Sequence, residues 1–509
     1  MPDKNFTPAQ KIAKESTIHI TGMIYSQIIR YIYIAILARI LGPKYLGIYS
    51  LGNSITQISE SIGKCGLDVG IMRFVSIHES MDNSPEIKRY IKSALKMGFV
   101  FSMLIMLTQI ILAGWLAQDI FKETVFLKYI LIAYALSLPF YVFIAIAASA
   151  TRGYKMVKHS VFVINILNPT ILLLTAIISY LLFSREMVIL LPVVVTGIIG
   201  FFVISNLLSK ISGISYNGIV SGKFDNALLK FSIPLMFMVI FGTMLHWMDI
   251  MMLGYFTDAK TVGLYHPAIR TAGIQQGILS SFVGIFGPMF TGYFAEEDHE
   301  KMSHIYKLVT RWLLTIILPF ALIVIIFSKN VMLLFGDDFI IAAPTLIILT
   351  SAMAIYSFLG VSSIALTVTG HQRYNLINVV VALILNGILN IILIPKYGIL
   401  GAAWATFFSI IIITILRVTE FWVLTKKHPF SKKLFKSLFS GLIIGLMLLL
   451  LNPFLSDFHA AIVMLIAFII GLSFYIIILF IFGFDEDDKD FMRSLNFLKN
   501  KVIKPNAEK

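Results

Sequence analysis

Three charged side chains interrupt long apolar runs and are the first candidates for chemistry. Arg30 lies near the middle of the first apolar run, Asp249 in the outer half of the seventh, and Arg270 a little inside the eighth. Each would cost roughly several kcal/mol if it faced lipid, so we expect these side chains to face a protein interior or a water-filled cavity. Arginines in such a cavity suit a phosphate or diphosphate, because the guanidinium group makes bidentate, charge-assisted hydrogen bonds.

The same side chains also allow an interpretation in which they only hold helices together. Asp249 and Arg270 lie on consecutive apolar runs and would form an ion pair if those helices pack side by side. His246, about one helical turn before Asp249, is a candidate carrier of a proton, because imidazole titrates near neutral pH. Three amides are candidates for hydrogen bonding either to a polar substrate or to a neighbouring helix: Gln275, Gln276 and Asn386.

Motifs for catalysis and metal binding are missing from the sequence. The Gly-Lys pairs that begin at Gly63 and Gly222 lack the earlier glycine of a phosphate-binding loop. The second histidine of His299–His304 comes one position too late for a zinc helix, and the single cysteine, Cys65, excludes an internal disulfide. We therefore expect no catalytic residue, no metal site and no enzyme activity.

The apolar runs themselves must position the charged side chains. The 509 residues are 58% apolar and 13% charged, whereas soluble domains average roughly 45–50% and about 25%. The runs are long enough to span a bilayer, which takes ~20 residues, and their continuity favours helices over the alternating strands of a barrel. The predicted fold is an all-α integral membrane protein of about 14 transmembrane helices, near residues 16–39, 46–63, 92–116, 126–149, 160–183, 187–208, 229–255, 264–290, 307–328, 340–367, 374–394, 399–424, 436–454 and 460–484.

Lysine and arginine residues set the expected orientation of these helices. With a cytoplasmic N-terminus, 31 of the 41 basic residues fall on cytoplasmic segments, including six from Arg417 to Lys436, and nine fall on the outer side. Both termini are therefore expected in the cytoplasm, with the chain in the plasma (inner) membrane. This topology explains the net positive charge without nucleic acid. The segment Gly66–Arg73, on the cytoplasmic side, is predicted to be a loop with a gating role.

An internal repeat divides the helices into two lobes. Lys44–Tyr49 and Lys260–Tyr265 share Lys, Gly and Tyr at an offset of 216 residues, and a weaker match at Gly153 and Gly370 has an offset of 217. Six helices separate the copies, so the pseudo-two-fold axis should lie along the membrane normal, with a substrate cavity between the lobes. The predicted parts are a cytoplasmic N-terminal segment at 1–15, an N-lobe of helices 1–6 at 16–210, a C-lobe of helices 7–12 at 211–426, helices 13 and 14 at 427–484, and a cytoplasmic tail at 485–509.

Five segments carry a resemblance to a known family: Ala38–Ser50, Phe231–Leu235, Asp249–Gly254, Val262–Tyr265 and Tyr397–Ala405. They resemble polysaccharide-biosynthesis flippases of the Wzx type, in the superfamily that includes multidrug extruders and lipid II flippases. The resemblance implies movement of a polyprenyl-diphosphate-linked oligosaccharide from the cytoplasmic to the outer leaflet by alternating access. Arg30, Arg270 and Asp249, with the three amides, would bind substrate, and H⁺ or Na⁺ would return through Asp249 or His246 without any other cofactor.

The resemblance leaves alternatives open. Multidrug extruders usually have twelve helices, so the two extra helices, which resemble the pair that forms a groove for the lipid tail in lipid II flippases, favour a lipid-linked substrate. Lipid II flippases carry more arginines in the first two helices, and the second helix here has none. A membrane glycosyltransferase or polymerase usually needs a sizeable outer loop, and the longest here runs from Lys329 to Phe339. The expected partners are the lipid-linked glycan and membrane lipids, with a polysaccharide polymerase and glycosyltransferases as further candidates and no nucleic acid.

Overall fold

A computed structural model of the chain describes residues 8–214, 222–455, 458–483 and 486–489, with the side chains of 8–16 and 285 left undescribed. The first part of the predicted N-terminal segment and most of the predicted tail therefore lie outside the described residues. Within the described ranges the chain forms helices and no strand. This agrees with the all-α prediction, because a helix satisfies its own backbone groups in a medium without water.

Seven α-helices and two π-helical segments make up the described part of the first half. A π-helical segment at Leu116–Ile120 continues the third helix, and another at Phe162–Leu167 joins the fifth helix to the sixth. The helices are α1 (Pro8–Lys64), α2 (Leu67–Ser80), α3 (Ser84–Trp115), α4 (Val125–Gly153), α5 (Val157–Val161), α6 (Asn168–Leu182) and α7 (Met187–Ser212).

The second half has the same kind of architecture and continues into two further helices. Short 3₁₀ segments occur at Asp337–Ala342 and Asn452–Leu455. The helices are α8 (Asn226–Phe256), α9 (Ala259–Ala272), α10 (Ile274–Ala295), α11 (His299–Ile326), α12 (Ser328–Leu333), α13 (Ala343–Leu359), α14 (Val361–Val368), α15 (Gln372–Tyr397), α16 (Ile399–Thr425), α17 (Leu434–Leu451) and α18 (Ala460–Ile481).

The described residues contain 13 helical runs that are long and apolar enough to cross a membrane. The first run covers Thr17–Ser80 and includes most of α1, whose 57 residues would extend roughly 85 Å, far beyond one bilayer. Gly42, with φ 76° and ψ 177°, interrupts the helical backbone of α1 just before Pro43. The two sides of this kink correspond to predicted helices 1 and 2, so the 13 runs match the 14 predicted spans.

The first spanning run begins at Thr17, close to the predicted residue 16, and helix α1 extends back to Pro8. One local prediction near the N-terminus is wrong. The segment Gly66–Arg73 is not a loop, because α2 begins at Leu67 directly after two residues, Cys65 and Gly66, with positive φ. The buried residues of α2 recur along one face, which supplies the packing that a solvated loop would not have: Leu67, Gly70, Ile71 and Val75.

At the predicted outer end, the two lobes meet through the repeated motif itself. A Cβ atom on Gly47 would lie 1.6 Å from the backbone oxygen of Ala259, and one on Gly263 would lie 1.8 Å from that of Pro43. The two contacts are equivalent under the offset of 216 residues (263 − 47 and 259 − 43). Such a reciprocal contact is what a pseudo-two-fold axis between two similar lobes produces. Only glycine permits so close an approach of α1 and α9.

At the predicted cytoplasmic end, α2 of the N-lobe contacts the first turns of α8. A Cβ atom on Gly66 would lie 2.3 Å from the backbone oxygen of Ser232, and one on Gly70 would meet the Ser232 hydroxyl at the same distance. The Arg73 guanidinium lies 4.3 Å from the centre of the Phe231 ring, a cation–π contact. The lobes therefore touch at both ends of their interface.

The last two spanning helices pack on the C-lobe. Gly441 of α17 and Gly471 of α18 allow close contact with Leu318 and Ile323 of α11. Below them the Asp488 carboxylate accepts hydrogen bonds from Arg311 at 2.6 Å and from the Trp312 indole at 2.8 Å. An apolar groove of about 480 Å³ lies between α10, α11, α17 and α18 and ends near these polar groups.

Candidate functional site

A cavity of about 300 Å³ lies between the lobes, where α1 and α9 face each other. Arg30 comes from the N-lobe and Arg270 from the C-lobe, and no carboxylate belongs to the lining. The cavity therefore carries positive charge from both lobes at once. The lining residues are Met23, Ser26, Gln27, Arg30, Ile34, Tyr49, Asn53, Gln57, Asn165, Trp247, His266 and Arg270.

The two arginines have no acidic partner within 4.0 Å in the described part of the chain. The Arg30 Nε donates to the Ser26 hydroxyl one helical turn away, at 3.2 Å. Both side chains are only partly exposed. Charges shielded from water without a counter-charge are costly, so this arrangement favours binding of an anion.

His266 is a cavity residue that the sequence analysis missed. It is 3% exposed, and neither of its ring nitrogens has a hydrogen-bond partner among the described residues. Its ring lies edge-on to Tyr49, with 6.1 Å between the centroids. The signal was available in the sequence, because His266 and Arg270 are four residues apart and so share one helix face.

A second space of about 230 Å³ continues the central cavity into the C-lobe. Gln27, His266 and Arg270 line both spaces. Gln276 and His246 line the second space, and the His246 side chain is exposed to it. The predicted residues Arg30, Arg270, Gln276 and His246 thus surround one connected region.

A third space of about 280 Å³ lies within the C-lobe between α8, α15 and α16. It shares His246, Ile269 and Gln276 with the second space. Asp249 and Asn386 line it, and so does Arg417, which the topology prediction had counted with the cytoplasmic segments. The polar lumen therefore extends from the interface of the lobes into the C-lobe.

Asp249 lies in a cluster of hydrogen-bond donors and not beside Arg270. It is 5% exposed, and its carboxylate accepts from Tyr265 and from Asn390, each at 2.8 Å. The Thr406 hydroxyl also donates to Asp249. Among the described residues no ion pair joins Asp249 to Arg270, so the two residues occupy separate environments in this conformation.

The three predicted amides have different surroundings. Gln275 is fully buried and donates to the backbone oxygen of Thr350 at 3.1 Å, which is the interhelical contact considered as the alternative. Gln276 faces the lumen and contacts the Met353 sulfur at 3.3 Å. Asn386 lines the C-lobe space and accepts from Asn390 at 3.0 Å.

Comparison with known proteins identifies the family. The family model described as polysaccharide biosynthesis protein matches residues 12–294, more than half of the chain. The chain belongs to this family. The match begins in α1 and ends in α10, so it includes both helices that carry the arginines of the central cavity. The predicted resemblance is confirmed.

Two curated relatives match part of the chain. The probable low-salt glycan biosynthesis flippase Agl15 of Haloferax volcanii is 27% identical over 176 residues, which are 34% of this chain and 37% of Agl15. The uncharacterized membrane protein MJ1068 of Methanocaldococcus jannaschii is 26% identical over 260 residues, which are 50% of this chain and 49% of that protein. The chain thus matches less than half the length of either relative.

Solved structures share the fold over most of the chain. The lipid II flippase MurJ in an inward closed conformation superposes with a TM-score of 0.71 at 16% identity, covering 93% of this chain and 98% of MurJ. A multidrug resistance MATE transporter in an inward-facing conformation gives 0.58 at 12%, covering 84% and 97%. A transporter from Pyrococcus furiosus of the same superfamily gives 0.60 at 14%, covering 83% and 96%. The chain shares the fold of these solved structures over most of its length.

Proposed function

We propose that this protein flips a polyprenyl-diphosphate-linked oligosaccharide from the cytoplasmic to the outer leaflet by alternating access, for the synthesis of a surface polysaccharide. The observation that carries the proposal is the cavity to which each lobe contributes an arginine and from which carboxylates are absent. Arg30 and Arg270 would bind the diphosphate from opposite sides. Their charge offsets the cost of removing the diphosphate from water.

The sugars and the lipid tail need different surroundings. The hydroxyl groups of the sugars would hydrogen-bond to the amides of the lumen, such as Gln27, Asn165 and Gln276. The polyprenyl tail would stay in lipid or in the apolar groove beside α17 and α18. A substrate with a polar head and an apolar tail would therefore be solvated along its whole length.

Alternating access would result from rocking of the two lobes. The lobes contact each other at both ends of the interface, through Gly47 with Gly263 at one end and through α2 with Ser232 at the other. Opening one end while the other stays closed would expose the cavity to one side at a time. Charge distribution favours cytoplasmic termini in the plasma (inner) membrane.

A counter-ion, H⁺ or Na⁺, would drive the cycle through the Asp249 cluster. One carboxylate and several neutral oxygens converge there, and the side-chain oxygen of Asn390 is buried without a hydrogen-bond partner among the described residues. Oxygen ligands of this kind suit a hard cation, and the carboxylate also suits a proton. His246 lies between this cluster and the central cavity and is the second candidate for carrying a proton.

Two alternative transport functions remain. An extruder of cationic drugs would need an anionic binding site, and the central cavity has the opposite charge, which disfavours that function. A lipid II flippase would use the same diphosphate chemistry, so the substrates must be compared directly. A polysaccharide polymerase and glycosyltransferases are the partners that such a flippase would work beside.

The decisive experiment is translocation of a fluorescent polyprenyl-diphosphate oligosaccharide in proteoliposomes, scored by accessibility to an external quencher. We expect the wild-type protein to move the probe. The rate should fall about tenfold or more in Arg30→Ala and in Arg270→Ala, because each variant loses one charge-assisted hydrogen bond. Arg185→Ala is the matched control, since Arg185 is exposed and does not line the cavity.

Three outcomes would contradict the proposal. Full activity in both cavity variants would show that the arginines do not bind the diphosphate. If the lipid-linked sugar did not move while an ion gradient drove efflux of small cationic drugs, the extruder function would replace the flippase function. Faster movement of lipid II than of other lipid-linked glycans would assign the protein to peptidoglycan synthesis.

A further inference from the structure

Arg417 is a buried cation without a counter-ion. It is 7% exposed, and its Nε has no hydrogen-bond partner among the described residues. No acidic group within 4.0 Å pairs with it in the described ranges. A guanidinium group removed from water in this way is costly unless an anion joins it.

The Arg417 side chain belongs to the lining of the C-lobe space. Thr406, Ile413 and Arg417 lie on one face of α16 and all line that space. Eleven residues of helix separate Thr406 from Arg417, which corresponds to roughly 16 Å. The Asp249 cluster, which includes Thr406, is therefore at one end of the space and Arg417 at the other.

The acidic group nearest in sequence does not neutralise Arg417. Glu420, one helical turn further along α16, accepts a hydrogen bond from Asn378 at 2.6 Å. It does not line the C-lobe space. The guanidinium group thus remains available to a ligand that enters this space.

The C-lobe space adjoins the central cavity by way of the second space. His266 lines both the central cavity and the second space. Gln276 lines both the second space and the C-lobe space. Neutral polar groups line the C-lobe space, among them Ser409 and, at the Asp249 end, Asn386. Such groups suit the hydroxyl groups of a sugar. An isolated cation in the same space suits a single fixed negative charge.

We propose that the C-lobe space is a subsite for an acidic sugar of the glycan, with the sugar carboxylate paired to Arg417. The inference rests on the proposed flippase function and adds the chemical class of the cargo. The diphosphate fits the lobe interface better, because two arginines already face the cavity there. The distal sugars can extend into the C-lobe.

The test compares two lipid-linked probes in proteoliposomes. Both are fluorescent polyprenyl-diphosphate trisaccharides, one ending in glucuronic acid and the other in glucose. We expect wild-type protein to move the acidic probe about tenfold faster than the neutral probe, because the acidic probe gains one charge-assisted pair. Arg417→Gln should lower movement of the acidic probe to the rate of the neutral one and leave the neutral probe unchanged. Arg373→Gln, at an exposed arginine of α15, is the matched control.

A binding measurement separates this inference from the proposed function. The free glucuronate-terminated trisaccharide should raise the melting temperature of purified wild-type protein. This stabilisation should be lost in Arg417→Gln and in Arg417→Met. The methionine variant is included because its apolar side chain tolerates burial. Stabilisation without movement of either lipid-linked probe would overturn the flippase function and retain the subsite. If Arg417→Gln slowed the movement of both probes equally, Arg417 would be assigned to the diphosphate. If the trisaccharide stabilised the variants and the wild type equally, the subsite would be overturned.

Discussion

The arginines of the central cavity are kept apart from the buried carboxylate of Asp249. That carboxylate is held by Tyr265, Asn390 and Thr406 within the C-lobe. Separation keeps the positive sites available for an anionic substrate, because an adjacent carboxylate would neutralise them. It also leaves the carboxylate available to a cation.

Replacement of Asp249 should uncouple transport from the ion gradient. In proteoliposomes, a gradient of either Na⁺ or H⁺ should accelerate wild-type translocation, and Asp249→Asn should lose that response because the amide cannot bind either cation as the carboxylate does. Asp119→Asn, at an exposed carboxylate of the N-lobe, is the control. An unchanged gradient response in Asp249→Asn would remove this residue from the coupling mechanism. If H⁺ is the ion, His246→Gln should weaken the response as well.

Among the helices, the crossing of α1 and α9 is the contact most sensitive to side-chain size. Gly47 and Gly263 bring backbone against backbone at distances that no Cβ atom tolerates. Because the two glycines are equivalent in the repeat, the closure at this end depends on the same motif from both lobes. Closure would therefore weaken if either copy were changed.

Gly47→Ala and Gly263→Ala should each hold this end of the interface apart. We expect a lower melting temperature in detergent and at least a tenfold lower rate of translocation, since the added methyl group removes roughly 1–3 kcal/mol of packing energy. Gly292→Ala is the matched control on α10, where a Cβ atom would have no neighbour within 4 Å. Wild-type rates and stability in both crossing variants would mean that the lobes do not need this close approach.

At the scale of the whole molecule, the proposed alternating access requires relative motion of the two lobes. The reciprocal glycine contact is what two similar lobes about a pseudo-two-fold axis produce. Ser61 of α1 and Thr243 of α8 link the lobes through a hydrogen bond of 3.1 Å between their hydroxyl groups. That pair is a suitable place to restrain the motion.

A disulfide between these positions should stop transport reversibly. Ser61→Cys with Thr243→Cys, in a Cys65→Ser background, places two sulfurs close enough for a bond of ~2.05 Å. Oxidation should abolish translocation and a reducing agent should restore it, because the linked lobes cannot rock. Each single-cysteine variant under the same oxidation is the control. Full activity of the cross-linked protein would argue against rocking at this interface.

Sequence alone determined the features that depend on local composition. Hydropathy identified the spanning helices, since a helix in lipid needs only its own apolar side chains and backbone. The repeat at Gly47 and Gly263 indicated two lobes, and the isolated charges at Arg30 and Arg270 indicated an interior cavity. Each of these signals is carried by one segment or by two similar segments.

Tertiary structure decided what depends on helices from distant parts of the chain. Asp249 and Arg270 are close in sequence, yet packing gives Asp249 partners from α15 and α16 instead. Arg417 looked like part of a cytoplasmic segment because it is near the end of its apolar run, and only the neighbouring helices bury it in the C-lobe lumen. The helical form of α2 likewise depends on contacts that its own sequence does not contain. Which face of a helix meets which neighbour is set by the global packing, and a single segment does not encode it.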